Sequence, residues 1–127
     1  MKGQRLFVRA IEAADHDIIR AFLASEGSPA AVPACGLLGK LVGELVAILE
    51  MRITADSIEI RDLLVARDFR RKRVGRVMLS ELEEIAAKMD RRRLIVAASE
   101  NDHAGFLRRV GFEREGSTWV REVTQPS

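Results

Sequence analysis

The chain has 127 residues, of which 47% are hydrophobic and 31% are charged, and its formal net charge is +2. These values predict one globular domain, residues 1–127, with a flexible tail at 124–127, and they exclude a low-complexity chain. The single cysteine, Cys35, excludes an intramolecular disulfide and a multi-cysteine metal centre and favours a reducing compartment such as the cytoplasm. No apolar run approaches the roughly 20 residues that a membrane-spanning helix needs, so we expect no membrane association.

The first part of the chain predicts a strand followed by a helix. Residues 5–11, "RLFVRAI", have the composition of a strand. The helix that follows has one apolar face, ends at Gly27, and leads into a proline-containing connection, residues 28–34. Four residues form that apolar face: Ile18, Ile19, Phe22 and Leu23.

Residues 35–65 predict an antiparallel meander of three strands. We expect turns at Gly39-Lys40 and at residues 54–57, "TADS", with a long strand over 41–53 between them. That middle segment is rich in helix formers, but its position between two turn signals favours a strand. In the third strand the apolar alternation shifts by one residue at Arg61-Asp62, which indicates either a β-bulge or a strand buried on both faces.

The second half predicts a helix, a strand, a helix and a hairpin. Apolar residues at steps of three and four from Val74 to Met89 predict an amphipathic helix of about 15 residues. Residues 93–98, "RLIVAA", predict a strand parallel to the third strand of the meander, because a helix connects the two. A short helix ends at Gly111, and a hairpin turns at Gly116-Ser117. The fold class is therefore α+β.

A basic loop precedes the long helix, since six of the ten residues from Arg67 to Arg76 are basic. A helix that begins after a tight turn, expected at Gly75, would present its N-terminal amides to an anion such as phosphate. Two alternatives stay open at this point: a solvated charge-rich loop, and a nucleic-acid-binding module. The second is disfavoured because Phe69 is the one aromatic residue nearby and the helix that follows carries acidic residues.

Four segments together resemble the GNAT superfamily of acyl-CoA-dependent N-acetyltransferases. They are Leu63 with Val65, "FRRKRVGRVML" at 69–79, "RLIVAASEN" at 93–101 and "FLRRVGF" at 106–112, and the similarity in element order covers nearly the whole chain. The resemblance implies a mixed sheet that splays between its fourth and fifth strands and binds acetyl-CoA as co-substrate. Backbone groups of Leu63, Leu64 and Val65 would then pair with pantetheine.

The resemblance also implies which residues hold the rest of the coenzyme. The pyrophosphate would be bound by the loop residues Arg70, Arg71, Lys72, Arg73, Val74, Gly75 and Arg76. Asn101 is similar to an asparagine that touches the coenzyme arm, and helix capping is its alternative role. The chain departs from the family at Arg73, where glycine is usual, and glycine there would strengthen binding if Arg73 is strained but weaken it if the side chain is a phosphate ligand.

The catalytic groups are less clearly marked in the sequence. Glu59 resembles a glutamate that some family members use as a general base, Asp62 is a second candidate, and an ordinary surface carboxylate is the alternative for both. The usual tyrosine acid is replaced by Leu107, and the chain has no tyrosine. His103 is more simply interpreted as an exposed residue at a helix start than as the acid that protonates the thiolate. Cys35 is more simply interpreted as a packing residue than as a nucleophile.

The predicted function is therefore the transfer of an acetyl group from acetyl-CoA directly to a primary amine of a small molecule, protein or peptide. One alternative is a catalytically weak module of the same fold that binds acyl-CoA as a regulatory ligand. The other is the nucleic-acid-binding module. Dimerisation is common in this fold, but no patch in the sequence requires it.

Overall fold

The computed structural model describes residues 5–70, 73–97 and 104–124. In these ranges the elements follow the predicted order of strand, helix, three strands, helix, strand, helix and hairpin. The strands are β1 (Leu6–Ala10), β2 (Gly36–Leu41), β3 (Glu44–Ile53), β4 (Ser57–Val65), β5 (Arg93–Ala97), β6 (Glu113–Glu115) and β7 (Thr118–Glu122). The α-helices are α1 (His16–Ser25), α2 (Val74–Lys88) and α3 (Ala104–Arg109).

The chain divides into two compact units, and the first comprises Met1–Met51 and Asp62–Met78. Here β1 pairs with β2, and β2 with β3, both antiparallel. Helix α1 buries Ile19, Phe22 and Leu23, as its apolar face predicts, whereas Ile18 is 43% exposed. The core of this unit also includes buried residues of the strands and of the start of α2: Leu37, Leu38, Val46, Ile48, Leu49, Val74 and Met78.

The second unit comprises Arg52–Arg61 and Leu79–Ser127. The first residues of β4 pair in parallel with β5, from Ser57↔Arg93 to Ile60↔Val96. On its other side β5 pairs antiparallel with β7, which in turn pairs with β6. The core of this unit includes Trp119, which is fully buried, and further buried apolar residues of its strands and helices: Ile58, Leu82, Leu94, Leu107, Phe112 and Val120.

The strands follow one another in the hydrogen-bonded order β1-β2-β3-β4-β5-β7-β6. This mixed seven-stranded sheet, with the parallel pair β4-β5 and flanking helices, confirms the predicted α+β class. The described pairing of β4 with β5 ends at Ile60, five residues before β4 itself ends.

The turn expected at Gly39-Lys40 is wrong, because both residues lie inside β2. The hairpin turns three residues later, at Val42-Gly43, where φ is +51° and +78°, the two positive values that a type I′ hairpin turn needs. Gly39 instead lies close to helix α2, since a Cβ there would lie 2.9 Å from the Met78 sulfur and that side chain would have to shift. Close approach of a helix, and not a turn, explains this glycine.

The one register shift described in the paired strands lies at β2-β3, between Gly39 and Lys40, where Val46 is the extra residue. In β4, the neighbouring side chains of Arg61 and Asp62 are both exposed, so the alternation changes phase where the sequence indicates. Whether the backbone forms a bulge at Arg61-Asp62 stays a prediction.

A buried ion pair stabilises the connection between β1 and α1. Asp15 ends a short 3-10 helix, Ala13–Asp15, and its side chain is 8% exposed. Nη1 and Nη2 of Arg9 donate to it, over 2.8 and 2.6 Å, and the Glu12 N–H donates over 2.7 Å. The hydrogen bonds from Arg9 and then from Glu12 lower the pKa of the Asp15 carboxyl below its ordinary value.

This lowered pKa predicts acid sensitivity. The Asp15 carboxylate stabilises the fold fully above the unfolded-state pKa of about 4, and the contribution is lost as the pH falls toward the folded-state value. We therefore expect D15N to melt several degrees below the wild type at pH 7, and the difference in melting temperature to shrink only as the pH falls below about 4 toward the folded-state pKa. Thermal unfolding across this pH range measures the effect, and D17N, which alters an exposed pair with Arg20, is the control and should change little. Equal melting of D15N and wild type at pH 7 would contradict this account.

Candidate functional site: the end of strand β4 and the start of helix α2

The end of β4 is held by backbone hydrogen bonds within the first unit. The Ala66 N–H donates to the Val46 carbonyl of β3 over 2.8 Å. A 3-10 turn, Arg67–Phe69, follows directly, with the Phe69 N–H bonded to the Ala66 carbonyl over 2.8 Å. The predicted pantetheine-binding residues Leu63, Leu64 and Val65 are half-buried and are the last three residues of β4. Their backbone is therefore fixed where the loop begins.

The loop enters α2 through a residue in the left-handed region. Arg73 has φ of +65°, as a residue in a glycine position should, and the Val77 N–H donates to its carbonyl over 3.0 Å at the start of the helix. The turn expected at Gly75 is wrong, because Gly75 already lies in the first turn of α2. The N–H groups of a first helical turn point out of the helix, so Val74, Gly75 and Arg76 supply the amides that can bind an anion.

Four described arginines place positive charge along this loop. Arg67, Arg70, Arg73 and Arg76 all have exposed side chains. Arg70 also turns back on the strand, and its Nε donates to the Val65 carbonyl over 3.1 Å. A helix N-terminus beside several guanidinium groups fits a pyrophosphate, which needs both amide donors and cations.

The two predicted general bases, Glu59 and Asp62, lie in different units. Asp62 is exposed and belongs to the first unit, whereas Glu59 is half-buried, pairs with Ile95 of β5 and belongs to the second. Leu107 is 7% exposed in α3, so an apolar side chain occupies the position where the family usually has an acid. Cys35 is half-buried directly before β2. Four predicted residues lie outside the described residues: Arg71, Lys72, Asn101 and His103.

Two open cavities occur in the second unit, with volumes of about 370 and 310 Å³. The first is lined by Asp90, Arg92, Glu122 and Val123, and the second by residues of α2, β6 and β7 that include Glu83 and Arg121. None of these described lining residues belongs to the predicted coenzyme site. No helix in the described part of the chain is long and apolar enough to cross a bilayer.

The decisive comparison is with protein families. Residues 5–112 match the model of the Acetyltransferase (GNAT) family. The chain belongs to the GNAT acetyltransferase family. The match covers β1 through the end of α3 and includes β4, the basic loop and α2. Family members use acyl-CoA, and the chain is accordingly a GNAT-family acetyltransferase. A comparison with functionally curated proteins gave no match.

Solved structures with the same fold are numerous, and three illustrate their range. The ribosomal-protein-S18-alanine N-acetyltransferase from Escherichia coli has a TM-score of 0.73 at 12% identity, with 97% of each chain covered. The PaiA N-acetyltransferase from Thermoplasma acidophilum, solved in complex with coenzyme A, has a TM-score of 0.70 at 15% identity, covering 93% of this chain and 98% of that one. N-acetylglutamate synthase from Neisseria gonorrhoeae, complexed with coenzyme A and L-arginine, has a TM-score of 0.77 at 17% identity, with 94% of this chain and 34% of that one covered.

One contact at the candidate site has no signal in the sequence. Oε1 of Glu26, at the end of α1, accepts a hydrogen bond from the Arg67 N–H over 2.9 Å. The two residues are 41 positions apart, and only the packing of α1 in the first unit brings them together. Sequence reasoning missed Glu26 because a carboxylate beside a helix-ending glycine resembles an ordinary surface residue.

Proposed function

We propose that this GNAT-family protein binds acetyl-CoA along the end of β4 and the start of α2 and transfers the acetyl group directly to a primary amine. The observation that carries the proposal is the left-handed turn at Arg73, which leads the basic loop into the amides of the first turn of α2. The lone Cys35 fits a reducing compartment, the cytoplasm, as the site of this reaction.

The pantetheine arm would bind along Leu63, Leu64 and Val65. The carbonyl of Val65 accepts the bond from Arg70 Nε, so the arm would compete with this side chain for the same oxygen. Displacement would leave the Arg70 guanidinium available for a phosphate. Arg71, Lys72, Arg73 and Arg76, with the amides of Val74 and Gly75, complete the proposed pyrophosphate site, and Asn101 is proposed to touch the arm.

The chemistry requires an unprotonated amine and a leaving thiolate. An acceptor ammonium with a pKa near 10.4 must first lose a proton, for which Glu59 or Asp62 is the proposed base. The amine nitrogen then forms a bond to the acetyl carbon as the carbon–sulfur bond breaks. The N–H of Leu64 or Val65 would stabilise the negative charge that develops on the thioester oxygen.

The thiolate would leave without a side-chain acid. Leu107 is apolar and buried, and the chain has no tyrosine that could donate a proton. A thiolate with a pKa of about 8.5 can depart unassisted, but losing a general acid costs on the order of 100-fold in rate. The same observation favours the second candidate function, a protein that binds acyl-CoA as a regulatory ligand without turnover.

Calorimetric titration with acetyl-CoA, followed by turnover assays on an amine panel, tests the proposal. The named relatives direct the panel toward a peptide beginning with alanine and free glutamate, to which a lysine-containing peptide is added. Binding with turnover supports the acetyltransferase, whereas binding without turnover supports the regulatory ligand. Absence of heat and of a thermal shift at millimolar acetyl-CoA would reject both.

At Arg73, phosphate binding by the side chain can be separated from the backbone strain of a positive φ. Arg73 has φ of +65°, and we expect it to keep this conformation when coenzyme binds, so R73G should raise stability by about 0.5–1 kcal/mol. Coenzyme affinity then reports the side chain alone, and we expect it to fall by about 3- to 10-fold as one phosphate-binding cation is lost.

The matched control for Arg73 is V42G at the β2-β3 turn. Val42 has φ of +51°, so the variant relieves similar strain outside the loop and should gain stability with unchanged coenzyme affinity. Denaturant unfolding and calorimetry measure the two quantities. Stronger coenzyme binding by R73G would show that the guanidinium obstructs the phosphates.

A further inference from the structure

The strongest unassigned feature is the hydrogen bond from the Arg67 N–H to Oε1 of Glu26. Glu26 ends α1, where Gly27 has φ of +68°. The Ser28 N–H bonds to the Leu23 carbonyl over 2.9 Å, and the Gly27 N–H bonds to the Ala24 carbonyl over 3.1 Å. These bonds form a Schellman motif, which fixes the Glu26 backbone.

The helix that Glu26 caps, α1, is itself firmly anchored. Phe22 and Leu23 are buried in the last turns of α1, and Glu26 is half-buried. Its carboxylate is therefore presented from a rigid backbone, so the bond to Arg67 restrains the loop.

On the loop side, two consecutive amides are held by two different elements. The Ala66 N–H bonds to Val46 of β3, and the Arg67 N–H bonds to Glu26 of α1. The loop arginines Arg70 and Arg73 follow within six residues of Arg67. Because the Ala66 and Arg67 amides are both occupied, the direction in which the loop leaves β4 is set before the first phosphate-binding residue.

We propose that Glu26 is a positioning residue that orients the coenzyme-binding loop through the Arg67 amide, an inference that rests on the proposed function. A negative charge near an anion site opposes phosphate binding. Glu26 would therefore favour coenzyme binding through its hydrogen bond to the Arg67 amide, which depends on the length of its side chain. Side-chain length should therefore matter and charge should not.

Two substitutions separate length from charge. E26Q keeps the reach and an acceptor oxygen but removes the charge, whereas E26D keeps the charge and shortens the side chain by one methylene. E26A removes the acceptor altogether, and D17A, which removes an exposed carboxylate of α1, is the control. Coenzyme A affinity is measured by calorimetry, and exchange of the Arg67 amide proton is measured by NMR.

We expect E26D and E26A to bind coenzyme A about 3- to 10-fold more weakly and to exchange the Arg67 amide faster by a similar factor. E26Q and D17A should match the wild type within about twofold in both measurements. Weak binding by E26Q with normal binding by E26D would overturn the inference, because charge would then be what matters. So would wild-type affinity in both E26D and E26A.

The test distinguishes failure of this inference from failure of the proposed function. If wild-type protein binds coenzyme A and the Glu26 variants bind it equally well, only the positioning role is rejected. If wild-type protein does not bind coenzyme A, the proposed function and the inference both fail.

Discussion

Reversing the charge at Arg76 should reduce coenzyme affinity on the order of 100-fold without unfolding the protein. Arg76 is exposed in the first turn of α2, where R76E would place a carboxylate against the proposed pyrophosphate. The substitution removes a cation and adds repulsion, so it should exceed the effect of removing Arg73. Glutamate is favourable near a helix N-terminus, so the melting temperature should stay the same or rise slightly. Calorimetry with coenzyme A, paired with thermal unfolding, measures both.

K88E is the control for R76E. It makes the same change of charge at the opposite end of the same helix, so net charge is matched. We expect it to bind coenzyme A normally and to lose about 0.5 kcal/mol of stability, because an anion at a helix C-terminus is unfavourable. If R76E bound coenzyme A within about threefold of wild type, the start of α2 would not be the phosphate site.

Substituting Gly36 by alanine should be strongly destabilising. Gly36 is buried in β2 opposite Glu50, and a Cβ there would overlap the Leu49 carbonyl oxygen and lie 3.2 Å from the Ile11 side chain. The oxygen belongs to the backbone of the neighbouring strand, so it cannot move aside as a flexible side chain would. We expect a loss of about 3 kcal/mol and a melting temperature lower by roughly 10 °C.

The control for Gly36 is the same substitution in a helix. Among the described residues, a Cβ at Gly105 of α3 would meet the Arg109 guanidinium alone, at 3.7 Å, so G105A should gain about 0.5–1 kcal/mol by restricting the unfolded chain. Denaturant unfolding of both variants measures the contrast. If G36A retained wild-type stability, β2 and β3 would not approach as closely at Gly36 as the structure describes.

Periodic segments of the sequence were sufficient to predict the elements. The predicted helix of about 15 residues is α2, because Val74, Met78 and Leu82 recur at helical steps and are all buried. The strand assignment of β3 is confirmed despite its helix-forming composition, because flanking turns limited it. The β4-β5 pairing is parallel, as the intervening helix requires.

Turns were less predictable because a glycine can mark either a tight turn or a place where another element packs closely. Gly39 and Gly75 both suggested turns, yet Gly39 admits a neighbouring helix and Gly75 lies within α2. Two of the positive φ values occur at Val42 and Arg73, residue types for which that conformation is locally unfavourable. The local preferences of valine and arginine disfavour positive φ at these two positions. The strands and helices on either side impose that conformation.

The sequence by itself determined the family, the order of elements and the segment proposed to bind coenzyme, because these depend on periodicity and on residues close together in the chain. Only the tertiary structure decided that Glu26 holds the Arg67 amide and that Arg70 bonds to the Val65 carbonyl. It also decided that Arg9 neutralises the buried Asp15. Such contacts depend on side-chain directions and on how α1 and β4 pack in the first unit, which no local pattern encodes.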